Sequence, residues 1–171
     1  MKTTILSVIT LFLASLSLQA QVDRTNFRAG INAGLVLGDF SDNYSLNLGL
    51  ELQHLWGLSR EIDLGVATGF YNAFGEKQTL DEGGISIEIE FDNVQYIPAA
   101  AALRIYPTRG FKIGGDVGYA IGINEGNEGG LYYRPVLGVD INDVTEFNVS
   151  YTAIDDEVTF GAAMFGVLFL F

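Results

Sequence analysis

The feature that most restricts this chain is a period-two alternation of apolar and polar residues, repeated in eight segments. From Tyr44 to Leu52, for example, Tyr44, Leu46, Leu48, Leu50 and Leu52 share one parity and Ser45, Asn47, Gly49 and Glu51 the other. Successive side chains of an extended strand point to opposite faces, so this period marks a strand with one apolar and one polar face. The same pattern places strands at 26–38, 44–56, 61–72, 93–106, 111–123, 130–141, 145–153 and 157–171. Eight strands with short connections read as an antiparallel meander, closed into a barrel or stacked as a sandwich.

One stretch breaks the pattern. Ile5 to Leu18 is an uncharged apolar run behind Lys2, and Leu18-Gln19-Ala20 resembles a small-residue cleavage site. This reads as a secretory signal peptide over residues 1–20, with a single barrel domain over 21–171. No later stretch approaches the ~18 apolar residues of a membrane helix. The chain has no cysteine, which excludes a disulfide framework, a thiolate nucleophile and a Cys-based zinc site. Its 21 acids against nine bases argue against a nucleic-acid partner, which needs a basic surface to neutralise phosphates.

Alternation alone cannot say which face of a barrel points outward, because a soluble barrel alternates too, with its apolar side in. The glycines arbitrate. Eleven of the 21 have the polar parity: Gly30, Gly34, Gly38, Gly49, Gly65, Gly69, Gly114, Gly118, Gly122, Gly138 and Gly166. An eight-stranded lumen is just wide enough for side chains, so charged residues inside it need small neighbours, whereas a solvated surface has no use for glycine. The polar face is therefore expected inside and the apolar face against lipid. Aromatics support this in two bands: Phe27, Trp56, Phe111 and Phe147 towards one end, and Tyr44, Phe70, Tyr119, Tyr133 and Tyr151 towards the other. Every second connection is tight (57–60, 107–110 and 142–144), while the others are longer, with 73–92 the longest. Short turns at one end and long loops at the other are the habit of outer-membrane barrels.

The chain ends Phe165-Gly-Val-Leu-Phe-Leu-Phe171, with Phe165, Val167 and Phe169 on one face. This resembles the last strand of Gram-negative outer-membrane barrels, and the resemblance implies that Phe171 is an assembly signal read by the barrel-assembly machinery. Asn93 to Pro107, with Tyr96-Ile-Pro98 and Tyr106-Pro107, resembles a strand of the PorT-like family. The chain as a whole is similar in architecture to small PorT-like and OmpX-like outer-membrane β-barrels. That family is functionally mixed, so the resemblance implies the eight-stranded transmembrane fold and the bacterial outer membrane, but no substrate; the asymmetry of the connections puts the long loops on the extracellular side. The inward parity of the last strand, Phe160, Met164, Leu168 and Leu170, is more apolar than a polar lumen calls for.

The inward parity also carries Arg28, Arg104, Lys112 and Arg134 beside Glu51, Asp63, Asp116, Asp140 and Glu146, most of them in the short-turn half of their strands. Charges in so narrow a space must pair. Two readings follow: a salt-bridged plug that closes the barrel, or a gated ion path. The loop side carries 13 acids against Lys77 alone, a crown that divalent cations could share. Asp155-Asp156-Glu157 and the 81–92 stretch are its densest parts, yet neither has an ordered ligand spacing, and solvated, repulsive loops are the plainer reading. Residues 84–92 alternate again, with a partner near 73–82, as a hairpin standing beyond the membrane. Its stripe of Ile85, Ile87, Ile89 and Phe91 is either a partner-binding edge or a surface covered by other loops.

No catalytic, cofactor or metal motif appears. His54, the one histidine, has the lipid-facing parity near a short turn, where it suits packing better than hydrolysis. Pro98 and Pro135 interrupt strands and each remove a ladder donor, marking either a bulge or kink or a lateral entrance. The functions in view are a non-enzymatic structural or interaction role (adhesion, envelope integrity, complex assembly), then a binder or lateral conduit for a small hydrophobic ligand or lipid, then a lipid-acting enzyme.

Overall fold

A computed structural model describes residues 25–82, 85–156 and 158–171. The signal-peptide segment and its boundary with the barrel lie outside those residues. The strands are β1 (Thr25–Leu37), β2 (Tyr44–Gly57), β3 (Ile62–Gly75), β4 (Lys77–Glu82), β5 (Ile85–Glu90), β6 (Val94–Thr108), β7 (Phe111–Gly122), β8 (Gly130–Asn142), β9 (Thr145–Asp155) and β10 (Phe160–Leu170). Eight of them form a closed barrel in which chain neighbours pair, while β4 and β5 make a separate hairpin between β3 and β6. Closure runs between β1 and β10, from Arg28 opposite Leu170 to Leu37 opposite Gly161. The Phe171 N–H donates to the Phe27 carbonyl at 2.9 Å, which extends the seam to the last residue. All eight barrel strands were legible as alternation, with bounds that shift by three residues or fewer.

Burial alternates as the polar-inside reading requires. Ile31, Leu50 and Val117 are each about 60% exposed, whereas Arg104, Lys112 and Asp116 are 0% exposed. A soluble protein would show the reverse, because apolar burial drives its folding. The barrel is thus of the transmembrane type. His54 lies where its parity put it, half-buried and edge-on to Trp56 at 4.7 Å.

Glycine makes room for the inward charges. A Cβ on Gly138 would lie 2.7 Å from Glu146 Oε1 and 2.8 Å from Lys112 Cγ, and one on Gly114 would lie 2.6 Å from Arg104 Cδ. A Cβ on Gly49 would run into the ring of Tyr71.

Three expectations need correction. Gly38 is not a lumen glycine: β1 ends at Leu37, and Gly38 opens a short 3-10 turn with φ of +81°, a left-handed conformation that glycine adopts without penalty. Tyr44 does not face lipid, because a register shift between Tyr44 and Asn47 turns it towards Phe40 and Phe160 at the loop-side mouth. Pro98 and Pro135 cause no bulge. Pairing passes over them in unbroken register, from Thr68–Ala99 to Tyr71–Tyr96 and from Tyr133–Ala153 to Val136–Ser150. The apolar inward parity of β10 meets a dry wall on the loop side, where Phe160 and Met164 are buried in an apolar and tyrosine core, while Leu168 is buried lower down, between Gly30 and Glu146. Tyr71 and Tyr96 stack in that core at 5.1 Å.

Placing a charge at the middle of the outer face separates this barrel from a water-soluble one. Leu50→Arg is expected to cost about 2–4 kcal/mol in urea unfolding from vesicles, the range for arginine at a bilayer midplane. An unchanged midpoint would mean that Leu50 faces water.

Candidate functional site: the charged lumen

All nine predicted lumen charges project inward, and eight of them are almost fully buried; Asp140 retains 28% exposure near the short-turn mouth. They gather into two groups. In the group nearer the short turns, Arg28 on β1 donates to Glu146 Oε2 on β9 at 2.8 Å and to the Tyr106 hydroxyl on β6 at 2.8 Å. That hydroxyl donates in turn to Asp63 Oδ2 at 2.6 Å, and Arg28 Nη2 stands 3.9 Å from the same oxygen. Lys112 on β7 reaches Asp140 at 2.6 Å and Glu146 at 2.7 Å, with its Nζ 5.4 Å from the centre of the Tyr106 ring.

The second group sits deeper. Arg134 on β8 grips Glu51 on β2 through its two terminal guanidinium nitrogens, Nη1 and Nη2, at 2.5 and 3.0 Å, and its Nε donates to Ser150 Oγ at 2.9 Å. Paired parallel bonds of this kind add geometric specificity to charge attraction. Asn32 donates to Glu51 Oε2 at 2.7 Å, and Gln53 donates to its other oxygen. Asp116 links the two arginines of this group: Arg104 Nη1 donates to it at 2.6 Å, and Arg134 Nη1 lies 3.6 Å away. Several buried atoms, among them Arg104 Nε and Asp63 Oδ1, have no hydrogen-bond partner within the protein, a need that bridging water would meet.

The charges were readable from parity, but their neutral partners were not. Asn32, Gln53, Asn148 and Ser150 have the inward parity, yet nothing in the sequence shows that they reach Glu51 or Arg134. Tyr96 and Tyr106, which carried the family resemblance, both serve the lumen: Tyr96 in the loop-side stack and Tyr106 as the bridge between Arg28 and Asp63.

At the loop end the tie is made by neutral amides. Asn124 Oδ1 accepts from the Gln95 N–H at 2.9 Å, and Asn124 Nδ2 donates to the Asn93 carbonyl at 2.7 Å. Asn127 Nδ2 donates to the Gln95 carbonyl at 2.7 Å. The hairpin base is held to the first loop by Gln78, which donates to the Asp42 carbonyl and to Asn43 Oδ1. In the hairpin Lys77 lies 3.2 Å from Glu90 and 3.7 Å from Glu88, all three well exposed. Of the expected apolar stripe, Ile89 is 39% exposed, while Phe91 turns back to within 6.2 Å of Tyr44. The side chains of Ile85 and Ile87 lie outside the described residues. Among the described residues, the loop acids do not converge into a group of three ligands.

Fold and lumen together define the class: a small eight-stranded transmembrane barrel, lipid-facing outside and charge-paired inside. No family model matches the sequence, and a search of curated proteins gives no match. Solved structures do match. The attachment invasion locus protein Ail of Yersinia pestis aligns over 86% of this chain and 97% of its own, with a TM-score of 0.53 at 18% identity. The N-terminal β-barrel domain of OprF from Pseudomonas aeruginosa aligns over 86% and 98%, with a TM-score of 0.51 at 12% identity. A de novo designed transmembrane β-barrel aligns over 89% and 100%, with a TM-score of 0.53 at 8% identity. Likeness to a designed barrel as close as to natural ones makes the shared property the fold.

The pairing sets a stability test. Glu51→Ala removes the bidentate partner of buried Arg134, leaving it only Asp116, at 3.6 Å, as a carboxylate partner, and is expected to cost about 3–5 kcal/mol, the usual penalty for breaking a buried pair. Replacing both partners, Glu51→Leu with Arg134→Met, is expected to recover most of that loss. Urea midpoints of the two variants in vesicles decide it, and equal losses would mean that the residues act separately.

Proposed function

We propose that this chain is an integral outer-membrane protein of structural or interaction type, with a closed lumen and its long-loop end outside the cell. The carrying observation is the pair of charge groups stacked below an apolar and tyrosine core. Together they put side chains across both halves of a lumen that eight strands already make narrow. The likeness in fold to Ail, an attachment protein by its name, agrees with a role in which the barrel anchors and the loops engage.

In this reading the hairpin and acidic loops are held in place by their amide ties and present a preformed acidic surface to a protein partner. Outer-membrane lipid surrounds the barrel, and the assembly machinery reads Phe171 during insertion. Kinship with PorT-like barrels rests on the tyrosine–proline strand alone. Against a lateral conduit stand the unbroken register through both prolines and the stacked Tyr71 and Tyr96 beside Pro98.

Planar-bilayer recording checks the closure: brief or no currents are expected, and sustained open currents would overturn it. Orientation is read separately with Glu88→Cys, a clean probe because the native chain has no cysteine. A membrane-impermeant maleimide is expected to label it on intact cells; labelling only after permeabilisation would invert the topology.

A further inference from the structure

The outer face of the barrel is not uniformly bulky. Strand register aligns Phe27, His54, Val66, Ala101 and Val117 in one outward row, and Leu52, Thr68, Ala99 and Tyr119 in the next. Where these rows cross β3 and β6 the outward residues shrink to Thr68, Ala99 and Ala101. The rows on either side are large again, with Trp56, Leu64 and Leu103 towards the short turns and Leu50 and Phe70 towards the loops. The result is a pit of about 550 Å³, lined by Leu52, His54, Val66, Thr68, Ala99 and Ala101.

Two outward polar residues contribute to this mostly apolar lining: Thr68, and the half-buried His54, whose ring is held edge-on to Trp56. Polar side chains on a lipid face are costly unless something meets them. His54 stands three residues from the end of β2, at the level where tryptophan and tyrosine mark the water boundary. The bilayer covers this face by virtue of the fold. A second barrel is convex and would meet this open depression along a narrow contact, whereas a flexible acyl chain can follow its floor over Ala99 and Ala101.

We propose that the pit is a binding site for one phospholipid of the short-turn-side leaflet, with an acyl chain over Thr68, Ala99 and Ala101 and the glycerol-ester end at His54. The site is independent of whether the lumen is closed and of what the loops engage. It distinguishes the β2–β3–β6 wall from the opposite wall, where Val139 and Val149 stand outward on β8 and β9.

The test is native mass spectrometry of the full barrel, reconstituted in phosphatidylethanolamine vesicles and released into mild detergent. The native chain is expected to retain one phospholipid. Ala99→Leu with Ala101→Leu, which fills the pit with residues a lipid face tolerates, is expected to retain none. Val149→Leu on the far wall is expected to retain lipid as the native chain does. Heat-modifiable gel mobility verifies folding of each variant, and if the double variant does not fold, Ala101→Val is expected to lower retention several-fold. No retention by the native chain, or equal retention by the pit-filled and native barrels, overturns the site and shows ordinary boundary lipid.

Discussion

Closure of the backbone ladder is the constraint on which everything else rests. In hydrocarbon no water is present to satisfy N–H and C=O groups, so a sheet crosses a membrane only without edges. The β1–β10 seam, carried to the last residue by the Phe171 N–H, removes the edge. Closing eight strands leaves an interior no wider than the side chains that fill it. Glycine on the inward wall, paired charges and an apolar loop-side half are three consequences of that width.

The lumen divides by height. Towards the short turns, four cationic side chains meet five carboxylates, helped by Tyr106 and by amides that take up further oxygens. Towards the loops, Phe160, Met164, Tyr71 and Tyr96 pack as the core of a soluble protein would. Buried ion pairs add little net stability, because desolvation offsets attraction, but a stranded member is expensive. The charged half therefore contributes specificity of packing, and the apolar half contributes the larger favourable burial. Outside, the same alternation presents lipid with a surface whose relief depends on which outward residues are small.

The barrel itself was legible because alternation is a local property and each strand carries its own copy. The inward charges were legible for the same reason: parity alone assigns Arg28, Glu51 and the others to one face. What escaped was anything set by irregularity at strand ends. A register shift turned Tyr44 inward, and the early end of β1 made Gly38 a turn residue. The amides that bind the loops together were invisible, since Asn93, Gln95, Asn124 and Asn127 look like ordinary loop polarity until the strands bring them side by side. The apolar inward face of β10 was visible but unreadable, because its meaning depends on the tyrosines that β3, β6 and β8 place opposite it.

By itself, then, the sequence determined the strands, the face each residue takes and the need for the inward charges to pair. Those follow from a period of two along one chain. Only the tertiary structure decided which charges meet. Arg28 finds Glu146 across 118 positions and Arg134 finds Glu51 across 83, and nothing local distinguishes these partners from the other inward carboxylates. The choice is made by the stagger of strands around the closed barrel, which sets the height of each side chain in the lumen. That same stagger brings Thr68, Ala99 and Ala101 together on the outer wall.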